Sequence, residues 1–357
     1  MTARTHRLAA AACALVALVE RPAAAAPGVT GTRNLSLGDA YRGSATGPDA
    51  LLGNPAAMSA VPMLALEPIY QVSLHDRSHG VGVVAMDSMN NRRFALGVAY
   101  ATLVGAPRLR CDDLAGVHHE LALVRRGHEV GLGVTVNVVR GWLSIGVKPK
   151  YQRLTLRYDD PTGAQRDVDA ALSAFGLDAA AHATLAGWVN LAVVGYNLSG
   201  ANRPAYTDAR RLELEGYEID RATLDAREIS RVAEYPRALA HAISVFPLRR
   251  PIFSINLDGT YDFTSYRDQG HVRLRYGMGV EFVLGKVAFR AGGGWDRRGR
   301  GREDDRGIIA GGIALLLAPA AGKTGADIGL GFSRQVAGPS PETFLGVNLG
   351  LRFNPGF

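Results

Sequence analysis

The sequence predicts an all-β fold, an antiparallel β-barrel that crosses a membrane. Three observations predict it. The chain opens on an export leader, its apolar residues alternate with period two from residue 64 onward, and it ends on an alternating strand.

The leader comes first. Arg4 and Arg7 form a positive start, Leu8 to Val19 is an uninterrupted apolar run, and Ala24-Ala25-Ala26 supplies the small residues of a cleavage site. That layout is a signal peptide over residues 1–26, too short to remain as a membrane-spanning helix. Cys13 lies inside the apolar run, which continues past it, and reads as an ordinary leader residue rather than a lipid attachment point. Cys111 then stands alone in the exported chain, which excludes a disulfide framework or a thiolate metal site.

The alternation comes next. Phe94, Leu96, Val98 and Tyr100 alternate with Ala95, Gly97 and Ala99; Val130 to Val138 alternate with Glu129, Gly131, Gly133, Thr135 and Asn137. Phe253, Ile255, Leu257, Tyr261 and Phe263 share a face opposite Ser254, Asn256, Asp258, Thr260 and Asp262. Val272 to Phe282 likewise oppose His271, Arg273, Arg275, Gly277, Gly279 and Glu281. Period two is the strand signature, and these runs exceed the usual five or six residues of soluble sheets. The 43 glycines, spread along the chain, also disfavour helices. Short turns are expected at Gly127-His128, Gly285-Lys286 and Ala320 to Gly325, with longer polar loops between other strands. A sheet in lipid must close on itself, because an open edge would leave backbone groups unpaired. The last strand, Leu345 to Phe353, alternates with Gly346, Asn348, Gly350 and Arg352, and either Phe353 or Phe357 supplies a terminal aromatic.

With the apolar faces in lipid, Asp178, His182, Asn190, Asn256, Asp258, Arg273, Arg275, Glu281, Arg290 and Asn348 point into the lumen. Glu281 and Arg290 flank a tight turn and are placed to pair. With this polar set, a wide apolar tunnel is not expected without help from the plug residues Leu51, Leu52 and Met58. The mixed-charge stretch 199–234 reads as a long loop, and the arginines at 297, 298, 300 and 302 as a basic loop within reach of lipopolysaccharide phosphates, blunted by Asp304 and Asp305.

Several chemistries are excluded. Gly322-Lys323-Thr324 lacks the first glycine and the helix of a phosphate loop. Gly80-Val81-Gly82 lacks the third glycine of a dinucleotide site. His118 and His119 are adjacent and face opposite sides of a strand, and no Gly-x-Ser-x-Gly elbow occurs. The formal charge of +7 is scattered, with no basic helix that would bind nucleic acid. No catalytic, metal or cofactor site is assigned.

The segment behind the leader carries "LGDAYRGSATGPDALLGNPAAMSAVP". Asn-Pro favours a turn, and Asp49 is placed to cap a short helix starting at Ala50 and ending before Pro55. On pattern alone this is equally an unremarkable arm or a compact plug. The stretch resembles the N-terminus of the long-chain fatty-acid transporter (FadL) family and its PorV-like relatives, through Leu37, Gly38, Ala40, Tyr41, Gly43, Asp49, Ala50, Asn54, Pro55 and Ala56. Phe175–Gly200 and Tyr276–Trp295 are similar to paired strands of the PorV-like proteins.

The resemblance implies a plug over residues 27–63, with Gly38, Asp49, Asn54, Pro55 and Ala56 as its motif, and a barrel over 64–357. It also settles about 15 candidate strands at 14, since single-chain bacterial barrels have even numbers; the doubtful stretch is 115–158. It implies an outer-membrane location in a Gram-negative-type bacterium, with membrane lipid as a partner. Two functions follow from it: passage or binding of small hydrophobic, fatty-acid-like molecules, or a PorV-like role in which the barrel holds a surface or secretion partner protein.

Overall fold

A computed structural model describes residues 29–74, 78–88, 93–105, 108–112, 118–159, 168–199, 237–263, 272–297, 305–317, 324–338 and 342–353. The leader, most of the long mixed-charge loop, Arg298, Arg300, Arg302 and Phe357 lie outside the described residues.

The strands are β1 (Leu64–Ser73), β2 (His79–Asp87), β3 (Phe94–Gly105), β4 (Arg108–Asp112) and β5 (His118–Val139). They continue with β6 (Leu143–Asp159), β7 (Val168–Leu185), β8 (Val189–Tyr196), β9 (Ala238–Val245) and β10 (Phe253–Asp262). The last are β11 (Arg273–Leu284), β12 (Val287–Arg297), β13 (Arg306–Leu317), β14 (Thr324–Ala337) and β15 (Thr343–Phe353). Successive strands pair antiparallel, except that β3 passes over β4 to pair with β5, and β1 pairs with β15 from Leu64↔Phe353 to Ser73↔Phe344, which closes the sheet. The barrel has 14 strands, because β3 and the short β4 both pair along β5 and count as one stave. That resolves the surplus candidate next to the doubtful stretch.

One turn expectation fails. Gly127 and His128 lie inside β5, which runs 22 residues without a break. Both are paired on two sides, Gly127 with Leu103 and Leu154, His128 with Thr102 and Arg153. Glycine bordering an apolar run signals a turn only when no partner strand claims its backbone. The Gly285-Lys286 turn is present, with Gly285 at φ +60°.

Burial along the strands alternates, and its sense is the reverse of a water-soluble protein. Leu132, Met278, Phe289 and Leu330 face out and are about half exposed, whereas Glu129, Asp178, Asn256 and Arg273 face in and are buried. Large apolar residues left outside across the whole circumference fit a hydrocarbon solvent. No helix among the described residues is long and apolar enough to span a membrane.

Residues 29–63 fill the lumen with α1 (Thr32–Ser36), α2 (Pro48–Gly53) and a 3₁₀ turn at Pro55–Ala57. The segment touches β12 to β15 through α1, β1 to β3 through α2, and β5 to β7 through the 3₁₀ turn. The helix α2 begins earlier than Asp49-capping would require. Gly47, at φ +61°, precedes it and Pro48 occupies its first turn, where a fixed φ and a missing N–H cost nothing. Asp49 sits inside the first turn, buried, and makes no cap bond.

Candidate functional site: a plugged lumen with two unlike walls

The plug is held on one side by charge. Arg33 of α1 donates to both oxygens of Glu281 on β11 (2.9 and 3.0 Å) and to the carbonyl of Ser44 (2.8 Å). Glu281 and Arg290 are cross-strand partners around the Gly285 turn, and Arg290 Nε donates to Glu281 at 2.6 Å. Glu281 therefore joins plug to wall, because two guanidinium groups share its carboxylate.

A second anchor centres on Arg42. Its Nε donates to the Tyr196 hydroxyl (2.7 Å), and Nη1 donates to the Asp39 carbonyl and to Asp258 Oδ2 (both 3.0 Å). Asp258 also accepts the backbone N–H groups of Tyr41 (3.2 Å) and Arg42 (3.0 Å). The Tyr196 hydroxyl in turn donates to the Gly53 carbonyl at 2.6 Å, so one tyrosine ties both ends of the plug loop. Burial alone would raise the Asp39 carboxyl, but Arg42 and Arg275 hold it below the ordinary range. Asp49 goes the other way: burial raises it, and Arg33, Arg290 and Arg352 offset that only in part.

The motif residues acquire physical roles. Gly38, at φ +64°, lies so close to the β12 backbone that a Cβ would come within 2.7 Å of Gly293 N. On the adjacent strand β11, a Cβ at Gly279 would meet the Leu37 carbonyl at 2.7 Å. Asn54 Nδ2 donates to the Arg42 carbonyl (2.8 Å). The Pro55 carbonyl accepts from the Thr135 hydroxyl, and the Ala56 carbonyl from Ser144 Oγ (2.7 Å).

The other lumen residues fall into separate groups. Asn256 is fully buried and accepts from Ser244 Oγ (2.6 Å). Arg273 pairs with Asp296 across β11 and β12. Arg275 contributes its charge near Asp39. Asp178 belongs to a wall cluster with Lys150 (2.8 Å) and Lys148 (3.6 Å), while Lys148 also meets Glu129 (3.2 Å). His182 lies 3.2 Å from the Gly43 carbonyl, and Asn348 bonds Thr32 of α1. Asn190, partly exposed, sits across from Ser244 near the turn end of β8.

Sequence reasoning overlooked Arg33, Arg42, Tyr196, Lys148 and Lys150. Two signals were present. Arg33 and Arg42 are the only arginines in the plug segment, and Lys148 and Lys150 occupy the inward phase of β6, which burial of both confirms.

The opposite wall is unlike this one. Every inward residue of β2 (Gly80, Gly82, Val84 and Met86) is small or apolar. So is every inward residue of β3 from Ala95 through Gly97, Ala99 and Ala101 to Gly105. Leu51 and Met58 of the plug rest here, filling the space that side chains at Gly97 and Gly133 would occupy. They join Val29, Met63, Ile69, Val84 and Met86 in one apolar cluster. The apolar lining is thus shared between β2, β3 and the plug residues Leu51 and Met58.

A closed antiparallel barrel with an N-terminal plug matches solved structures over almost its whole length. A Pseudomonas aeruginosa FadL homologue aligns with a TM-score of 0.57 at 12% identity, covering 91% of this chain and 98% of that one. The chain has the FadL-type fold. The Ralstonia pickettii toluene transporter TbuX (0.58, 11%) and the Pseudomonas putida toluene transporter TodX (0.58, 10%) each cover 91% of this FadL-type chain and 98% of their own. No family model and no curated protein matches the sequence. None of the three structures is described with a partner protein, so the surface-partner function has no support from them.

Proposed function

We propose that this FadL-type barrel sits in the outer membrane and passes or binds small hydrophobic molecules. The observation that carries the reading is the apolar strip of β2 and β3, which runs from the Gly80 and Gly105 end of the lumen to the Met86 and Ala95 end beside the plug. A hydrophobic solute entering a lumen lined by buried ion pairs would strip water from charges and return nothing. Along β2 and β3 it meets only glycine, alanine, valine, methionine and leucine, and displaces methionine and leucine side chains of the plug. Methionine suits that role, having three rotatable bonds and a polarizable sulfur. The toluene-transporting neighbours support the class of solute.

The test is uptake of a labelled aromatic hydrocarbon and a labelled long-chain fatty acid into proteoliposomes. Ala99→Asp places a charge in the middle of the strip and is expected to abolish saturable uptake. Arg273→Gln, on β11 across the barrel from the strip, is expected to leave it within about twofold, since it lies away from the route. Equal loss in both variants, with both barrels folded, would show that the route is elsewhere.

A further inference from the structure

We infer that the outside of the barrel carries a binding site for a phosphate-bearing lipid of the leaflet on the loop side, built from Arg126 and His128 on β5 and Arg153 on β6. This goes beyond the transport reading and stands without it, since it concerns the outer face of the wall.

Position comes first. The outward residues of β5, taken downward from the loop end, are Arg126, His128, Val130, Leu132, Val134, Val136 and Val138. Val130, Leu132 and Val138 are about half exposed, as lipid-facing side chains are. The change from cation to apolar residue between His128 and Val130 marks the level where hydrocarbon gives way to headgroups. On β6 the same change falls between Arg153, which is exposed, and Tyr151.

Charge comes second. His128 and Arg153 are direct cross-strand partners, and Arg126 is one outward position above His128. The remaining outward cross-strand neighbours are Thr102, Val104, Thr155 and Ser173, none of them acidic. Glu129 and Asp178, lower on this wall, point inward and are paired with Lys148 and Lys150, and the carboxylates of the upper strand ends, Glu120, Asp159 and Asp169, are not cross-strand partners of Arg126, His128 or Arg153. Two permanently charged guanidinium groups at a hydrocarbon edge, with no carboxylate among their described cross-strand neighbours, suit an anion from outside the chain.

The aromatic residues supply the rest. The Tyr100 hydroxyl bonds His128 Nδ1 at 3.0 Å with the rings stacked, which fixes the imidazole and leaves Nε2 as its remaining polar atom. Tyr151 donates to Ser173 Oγ (3.2 Å) and packs on Phe175 with ring centroids 5.1 Å apart. Phe175 is 69% exposed and lies directly beneath the cations. A free anion would use only the upper half of this surface, whereas a phosphorylated acyl lipid uses both.

The test titrates the purified full-length protein, in neutral detergent, with bis-phosphorylated lipid A and counts bound lipid by native mass spectrometry. Arg126→Gln with Arg153→Gln is expected to weaken binding about thirtyfold, from about fivefold for each arginine near an anionic surface. Arg153→Lys, which keeps the charge and the fold, should retain most of it. Arg334→Gln, an exposed arginine on β14, should change nothing. Equal binding of dephosphorylated lipid A, or unchanged binding by the double variant, overturns the site. Displacement by inorganic phosphate at millimolar concentration would reassign it to a soluble anion and overturn the lipid as occupant.

Discussion

Arg42→Met tests whether charge holds the plug. Methionine keeps much of the side-chain volume and removes every N–H of the guanidinium group. Asp258, whose side chain is 2% exposed, then retains only the two backbone donors of Tyr41 and Arg42. Removing one partner of a buried ion pair costs about 3–5 kcal/mol, because the other charge stays buried and uncompensated. The two surviving N–H bonds place the expectation at the lower end, about 3 kcal/mol. Asp39, at 37% side-chain exposure, adds little, since water screens it. The barrel ladder does not involve Arg42, so the whole effect falls on plug seating. A loss of about 3 kcal/mol corresponds to roughly a hundredfold faster local opening. Hydrogen exchange reads it directly, because the Tyr41 and Arg42 amides are the groups bonded to Asp258. Exchange at those amides should accelerate by about two orders of magnitude while β10 and β11 amides stay protected. An acceleration below about tenfold, or one shared equally by the strands, would refute the charge-anchor account. Adding Asp258→Asn should recover much of the loss, as no unpaired charge then remains buried.

Asp49→Asn addresses pH. Because burial raises the Asp49 carboxyl above its unfolded value, its ionisation costs seating stability as pH rises from the ordinary aspartate range through the raised value. Asparagine removes that slope, so plug protection at neutral pH should rise, and a scan between about pH 4 and 8 should show it. Gly279→Val drives a side chain into the Leu37 carbonyl and should unseat α1, seen as new protease cleavage within residues 29–63 of a barrel that keeps its heat-resistant mobility. Met58→Ala empties a fully buried position against β3 and β5. It should loosen the plug by about 2 kcal/mol and speed hydrocarbon uptake, and unchanged uptake would argue against the β2–β3 route.

The barrel was legible because lipid imposes a strict rule on each strand: alternate residues must be apolar, and Val130 to Val138 or Val272 to Phe282 obey it. Strand count was less legible, since β3 and β4 differ from one long strand only through the unbroken partner β5. Gly127 and His128 mimic a turn for the same reason. The inward phase of Asp258 and Glu281 could be read from alternation, but their partners could not. Arg33 is 248 residues from Glu281 and Arg42 is 216 from Asp258, and only the closed barrel brings them together. The apolar strip was written mostly as Gly and Ala in the inward phase of β2 and β3, which reads as absence of side chain until the plug supplies Leu51 and Met58 to fill it.

The two walls bear on what the plug can do. Had ion pairs held it all round, displacing it would break several buried pairs together, and each uncompensated charge would cost about 3 kcal/mol or more. Had apolar contacts held it all round, nothing would fix its register, because such contacts are non-directional. Here Arg33 and Arg42 fix the register against β10 and β11, and Leu51 and Met58 close the lumen against β3 and β5. A solute can then open the seam by moving Leu51 and Met58, while the Arg33 and Arg42 anchors hold. Passage on this scheme needs no expulsion of the plug, which leads to a sharp contrast: cross-linking the plug to β11 should leave uptake intact, and cross-linking it to β3 should stop it.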